Sequence, residues 1–506
     1  HKHVVLISCA RIEEGGSPPK HMAAGWLSIT LNWQVVFLLI LVWYVLLKSW
    51  ERSGKLDHWN STRVFGLILM MRTSAGKKTL ETVSKPRGFW RMYGEVSLWV
   101  CWGAMFIVAI MLAATFVMSI IAPPTDNPPS ASELMAIPGL NPVIPLGWGV
   151  IAFVICLVIH EFGHGLQARA HGMRVRSFGL LMLGPLPLGA FAEPEYAEIT
   201  QAPKRERQRM FAAGPATNLF AAFFCCLLMG LVAGQIVSAQ PGVHASGIVV
   251  GEAAENAGLE PLDVILKIDN NTVETLDDFR NVMDIYGAND TVFIEVLRTD
   301  GTMEELNVTF GDQYAHYLNN GWSEENLESV GIEPGDAFLG VQNIAEGTAG
   351  IDRIAGPFSP RHEGSGFSLL IDVPLYILNI LVTPFLNKGV AINPIQENML
   401  SSGEGFFGSL LGIEGLLFLA NLFFWLIWVN ILLGFTNLIP MIPFDGGHLF
   451  KDLVHSFMNG IKKLGEKSGA WKLHPLWVDH ISNRASSLSS LGLLMMLLFI
   501  MLIPYF

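Results

Sequence analysis

Apolar residues in this chain gather in long runs rather than in the short periodic stretches of a water-soluble domain. Runs at 26–50, 97–121, 146–169, 210–235, 366–386, 405–435 and 486–506 all reach the ~20 residues that carry a helix through a hydrocarbon core roughly 30 Å thick. The pattern predicts a polytopic α-helical membrane protein with about six to eight spans. Two stretches follow a different rhythm. Residues 175–191 are apolar, β-branched or aromatic at intervals and interrupted by Gly184, Pro185 and Pro187, which predicts a membrane-embedded strand or hairpin with a free edge. Residues 246–301 read strand, short helix, strand, Asn270-Asn271 turn, amphipathic helix and strand before an Asp300-Gly301 hairpin signal, the order of a small α+β domain.

The polar segments between the runs set an orientation. Residues 51–95 carry Arg52, Lys55, Arg63, Arg72, Lys77, Lys78, Lys85, Arg87 and Arg91, whereas 123–145 have no Lys or Arg; the positive-inside bias places the first in the cytoplasm and the second outside. Carried forward, 146–169 runs inward, 210–235 runs outward and 237–365 lies outside. The part of the long run at 415–435 then points inward, which leaves zero or two crossings before it. Asp372, Pro374 and Pro384 interrupt 366–386, so 366–412 reads as a re-entrant or interfacial element, or as a pair with the first part of the long run.

Composition narrows the class. Charged residues make up 15% and hydrophobic ones 51% of 506 residues, against about 25% charged in ordinary soluble domains; a purely cytosolic enzyme and a disordered regulator are excluded. The net charge of −12 argues against a nucleic-acid partner, which needs a basic surface. Four of the five cysteines (Cys101, Cys156, Cys225 and Cys226; the fifth is Cys9) lie in apolar runs without CxxC spacing and read as small buried hydrophobes.

The chemistry is concentrated at His160-Glu161-Phe162-Gly163-His164, inside an apolar run. On a helix, residues four apart share a face, so both imidazoles reach one ion with Glu161 beside them. An ionised acid at the centre of a span costs on the order of 2.5–3.5 kcal/mol, a cost that a metal in a water-filled cavity offsets. A catalytic zinc takes three protein ligands and a water, so a third donor comes from elsewhere. The best candidate is Asp445, in Asn437-Leu-Ile-Pro440-Met-Ile-Pro443-Phe-Asp445-Gly446-Gly447-His448. Two prolines break the helix there, and irregular backbone at membrane depth survives only buried in protein or lining a cavity. His448 is a competing donor ranked below Asp445. With His160 nine residues before Arg169, the centre lies roughly 14 Å from the cytoplasmic boundary at about 1.5 Å per residue.

Together, the HEFGH run, Gly214-Pro215-Ala-Thr-Asn218 on the next span, and the NLIPMIPFDGG closing stretch resemble the site-2 protease family of intramembrane zinc metalloproteases. The resemblance covers about 145–310 and 415–460; the first two spans, 311–412 and the tail lie outside it. It implies that His160, His164 and Asp445 bind Zn2+, that Glu161 is the catalytic acid/base, and that Asn437 and Asn218 meet substrate. Leu186 and Leu188, on the proposed strand, are placed at the substrate as well. The α+β segment at 240–310 resembles a PDZ domain of the permuted type, with a departure at Glu260-Pro261-Leu262-Asp263, where such domains usually have a glycine before the Asp. That domain is expected outside the cell, either taking a peptide or protein tail on its sheet edge or serving as a rigid plug.

The expected organisation is a non-native or disordered start (1–21), an N-terminal span pair with a basic cytoplasmic loop (22–122), a catalytic core in two parts (145–236 and 413–460), the PDZ-like domain (237–312), an extracytoplasmic extension with the re-entrant or interfacial segment (313–412), and a cytoplasmic loop with a final span (461–506). The expected function is cleavage of single-span membrane proteins in the plane of the cell membrane, toward its cytoplasmic side. Two alternatives stand beside it: a metal transporter using the same His and Asp groups, and an inactive scaffold presenting the PDZ-like domain.

Overall fold

The computed structural model describes residues 33–505 except 74–75, 123–129, 131, 135, 185, 365, 470 and 472–473; for 33, 186–188, 190, 193, 194 and 196 it describes the backbone alone. The expected start at 1–21 lies outside the described residues. Nine helices carry the description that follows: α1 (Trp33–Arg52), α2 (Arg87–Ile121), α3 (Leu146–Ala170), α4 (Lys204–Ala233), α5 (Leu276–Met283), α6 (Leu369–Leu386), α7 (Phe406–Asn437), α8 (Asp445–Ser468) and α9 (Pro475–Leu502). Seven of them, all but α5 and α8, are long and apolar enough to cross a bilayer. The protein is a polytopic helical membrane protein. Inside the protein, 61% of the apolar window of α7 and 50% of that of α4 are buried, against 6% in α1 and α9, so α4 and α7 are the most enclosed of the seven and α1 and α9 the most exposed. At 32 residues α7 would be about 48 Å long as one helix, well beyond a hydrocarbon core. Gly412 breaks it with φ 62° and ψ −179°, a conformation open in practice only to glycine.

The chain divides into two compact units, one formed by residues 229–379 with 390–420 and the other by the described residues up to 228 with 380–389 and from 421 onward. In the second unit a four-stranded antiparallel sheet runs β1 (Ser61–Val64), β2 (Ile68–Thr73), β3 (Val175–Leu183) and β4 (Leu186–Pro194), in that order. The hairpin expected at 175–191 forms as β3 and β4, joined through Gly184 at φ 65°. Its partner strands come from the basic loop before α2, where the sequence gives no alternating signal strong enough to announce them. Among the described residues β4 pairs with β3 alone, so it is left as an edge. Helices α3 and α4 run antiparallel and close: a Cβ at Gly163 would lie 2.5 Å from Thr217 Oγ1 and 2.8 Å from the Ala213 carbonyl oxygen. Small residues let helix backbones approach in this way.

The other unit contains β5 (Ile236–Ser238), β6 (Val243–Ile248), β7 (Val264–Ile268), β8 (Thr291–Leu297), β9 (Met303–Thr309), β10 (Val341–Glu346) and β11 (Leu400–Ser402). The main sheet has the order β9-β8-β7-β6-β10, with Asn271–Thr272 pairing on β7, while β11 pairs with β5. Alternation builds its core: Val292, Ile294 and Val296 of β8 point in, beside Phe279 of α5 and Phe310. Thr275 and Asp278 close α5 with a capping box. The boundary expected at 312 does not hold for the sheet. β10, far beyond it, pairs antiparallel with β6 and completes the edge, because strand pairing depends on exposed backbone groups rather than on nearness in sequence. At the departure noted above, Leu262 takes the left-handed φ of 73° that a glycine would take. Its side chain is buried against Val264 and Met399, which offsets a conformational cost of about 1–2 kcal/mol.

Candidate metal centre

Three side chains converge in the helical unit. His160 and His164 project from one face of α3, and Asp445 is the first residue of α8, just past the loop that ends α7. The ligand atoms lie within 4.8 Å of one another. Asp445 Oδ2 is 3.3 Å from each Nε2, and the two Nε2 atoms are 3.1 Å apart. The loop that delivers Asp445 is tight: a Cβ at Gly446 would lie 2.5 Å from the Leu438 carbonyl, and one at Gly447 2.5 Å from the Met441 carbonyl carbon. Both glycines therefore stand where a side chain has no room. Gly214 on α4 faces the pair from the other side, and a Cβ there would overlap His164 Nε2 and lie 2.7 Å from His160 Nε2.

The second ring nitrogen of each histidine has an acceptor. His164 Nδ1 donates to the Met210 carbonyl at 2.8 Å, and His160 Nδ1 donates to Asn218 Oδ1 at 2.6 Å. With both protons on Nδ1, both Nε2 atoms present lone pairs toward a carboxylate oxygen. Three such acceptors at this separation repel one another unless a cation lies among them. Tetrahedral zinc with bonds of 2.0–2.1 Å sets its ligand atoms about 3.3 Å apart, so the donor set fits zinc in both chemistry and spacing. The same hydrogen bonds fix ring orientation, as outer partners of metal-binding histidines do.

Glu161 points from the next position on α3 to β4, where its Oε2 accepts the Ala192 N–H at 2.7 Å. The acid/base candidate thus touches both the metal-binding helix and the edge strand. His448, one turn along α8, stacks its ring on Phe211 at 4.4 Å and 5° and is not among the converging donors.

The remaining expected residues divide. Asn218, expected at the substrate, is instead fully buried, with its amide engaged by His160, Cys156 and Asn430, so its bonds go to the protein. Asn437 is half-buried, and its Nδ2 donates to the Leu433 carbonyl of its own helix at 3.0 Å. Leu186 and Leu188 lie on β4 by their backbone, while their side chains are outside what the structure describes. Sequence reasoning missed Asn430 and the Ala192 N–H. An amide inside an apolar span was the available signal for Asn430, since polar residues at membrane depth are expensive; a backbone donor leaves no trace in a sequence.

Comparison with known proteins finds a matching family and several relatives. The profile of the family described as Peptidase family M50 matches residues 148–471, more than half of the 506-residue chain. An uncharacterised protein of Methanocaldococcus jannaschii is 28% identical over 265 residues, 52% of this chain and 68% of that protein. A protein of Clostridium acetobutylicum named as a candidate zinc metalloprotease is 23% identical over 325 residues, covering 60% of this chain and 84% of its own length. One from Synechocystis sp., named likewise, is 25% identical over 312 residues, 50% and 84% of the two chains.

Proposed function

This chain belongs to peptidase family M50, and on that premise we propose that it is a zinc-dependent protease that cuts single-span membrane proteins within the bilayer. The observation that carries the reading is the convergence of His160 Nε2, His164 Nε2 and Asp445 Oδ2 on helices of a membrane protein, with Glu161 alongside. These three residues hold the ion. Zinc supplies Lewis-acid activation of water and of the scissile carbonyl. Glu161 takes the proton of the attacking water and returns it to the leaving amine nitrogen. A helical substrate hides its peptide bonds in its own hydrogen bonds, so it must unwind before cleavage. The edge of β4 offers backbone groups to the unwound strand, next to the carboxylate that Ala192 holds. Among the described residues a single cluster of metal donors occurs, which favours hydrolysis over metal transport, since transit needs sites staged along the path.

The reading also has a topology. Just before α6, Arg361 donates to the Ala233 carbonyl at 3.0 Å and to that of Ile236 at 3.2 Å, at the end of α4. Just after α6, Gly389 lies against the carbonyls of Pro142 and Val143, ahead of α3. Helix α6 is read as a re-entrant or interfacial element, which leaves six crossing helices among the described residues. The basic loop before α2 then lies in the cytoplasm, and the sheet unit lies outside as a PDZ-like module that takes a peptide tail or excludes bulky ectodomains.

Purified protein in detergent should carry one zinc per chain and cleave a single-span substrate, and Glu161→Gln should keep the zinc and lose the cleavage. Equal activity of the two proteins would refute the assignment. Leu188→Pro, which removes a donor from β4, should lower cleavage with zinc content unchanged; undiminished cleavage would remove the strand from the account.

A further inference from the structure

A chain of amides runs from the interior of α7 to the metal centre. Asn430 and Asn218 are both fully buried. Asn430 Nδ2 donates to the Leu426 carbonyl at 2.8 Å, and Asn218 Nδ2 donates to Asn430 Oδ1 at 2.7 Å and to the Cys156 carbonyl at 3.1 Å. Asn218 Oδ1 then accepts from His160 Nδ1 at 2.6 Å.

The direction of every bond follows from its ends. A backbone carbonyl only accepts, so the Asn430 end that faces Leu426 is its NH2 and the end that faces Asn218 is its oxygen. Asn218 meets two acceptors, Asn430 Oδ1 and the Cys156 carbonyl, and turns its NH2 to both. Its oxygen is left for His160, whose Nδ1 must carry the proton. The Nε2 lone pair is thereby aimed at Asp445. Polarity set by two main-chain carbonyls on α3 and α7 is thus delivered to one imidazole. Burying an amide in an apolar span without partners would be costly, and among the described residues the Asn430 side chain bonds only to Leu426 and Asn218.

The geometry points to Asn430 as a positioning residue of the metal centre, acting through Asn218 to hold His160 in the tautomer that binds the ion. This rests on the zinc reading above and adds to it a residue outside the HEFGH and DGG stretches.

The test is zinc affinity, measured by chelator competition on the purified full chain, for Asn430→Leu, Asn218→Leu and the double variant. Loss of an outer partner of a metal-binding histidine weakens binding roughly 10–100-fold, so Asn218→Leu should fall in that range. Asn430→Leu should lose about tenfold, since the Cys156 carbonyl still orients Asn218. The double variant should bind no more weakly than Asn218→Leu alone, because Asn430 acts only through Asn218. Thermal unfolding of each variant reports on folding. Should Asn430→Leu fail to fold, Asn430→Thr replaces it, since its hydroxyl keeps the bond to Leu426 and drops the one to Asn218, with the same expected loss. Parent-like affinity in the Asn430 variant, or losses that multiply in the double variant, overturns the inference while the protease reading stands. A parent protein that binds no zinc removes both.

Discussion

The two units bury polar groups by different means. In the sheet unit Asp263 is buried, but its partner Arg298, at 2.6 Å, also reaches the half-exposed Glu304 at 2.7 Å, so the network ends at the surface. In the helical unit the network that begins at His160 passes through Asn218 and Asn430 and ends on the carbonyls of Cys156 and Leu426, with no exposed group along it. A domain with a wet rim can leave the last hydrogen bonds to water. The centre among the membrane helices closes these bonds with the protein's own atoms, and so depends on side chains that never meet the ion.

That contrast predicts damage of different kinds. The largest effect belongs to Asp445→Ala or His164→Ala: zinc measured by atomic absorption should vanish and cleavage fall to background, with the sheet unit still folded. Gly214→Val should follow closely, since its side chain occupies the space of both Nε2 atoms; zinc retained at parent affinity would show that α4 has room to shift. In the other direction, Phe310→Ala should destabilise the sheet unit by about 3–5 kcal/mol and leave zinc affinity as it was. Loss of zinc in that variant would mean the contrast between the units is false. The smallest effect is expected of Glu304→Gln, at most about 1 kcal/mol for an exposed ion pair, read from denaturant midpoints.

How much was legible depended on whether the signal was local. The apolar runs, the i, i+4 histidines and the Pro-Pro-Gly-Gly break around Asp445 state their own physics, since span length, helix face and helix termination are set by neighbours in the chain. Whether 366–386 crosses was not so set, because a helix that enters and leaves one face would have the same composition as one that crosses. Nor was the role of Asn218: an amide looks equally fit for substrate or for an imidazole, and only burial with three internal bonds assigns it to His160. The strands at 68–73 and 341–346 were hidden for a related reason, as each pairs with a strand more than ninety residues away.

By itself the sequence determined a membrane protein with a His-Glu-His helix, a carboxylate at a broken helix end and an α+β segment between them, because hydropathy, periodicity and backbone stiffness act over a few residues. Only the tertiary structure decided that Asp445 rather than His448 faces the imidazoles, that β4 is the edge strand beside Glu161, and that Asn430 stands behind Asn218. Each of these depends on the angle and separation at which distant helices pack, and one carbonyl or one missing Cβ is enough to settle it.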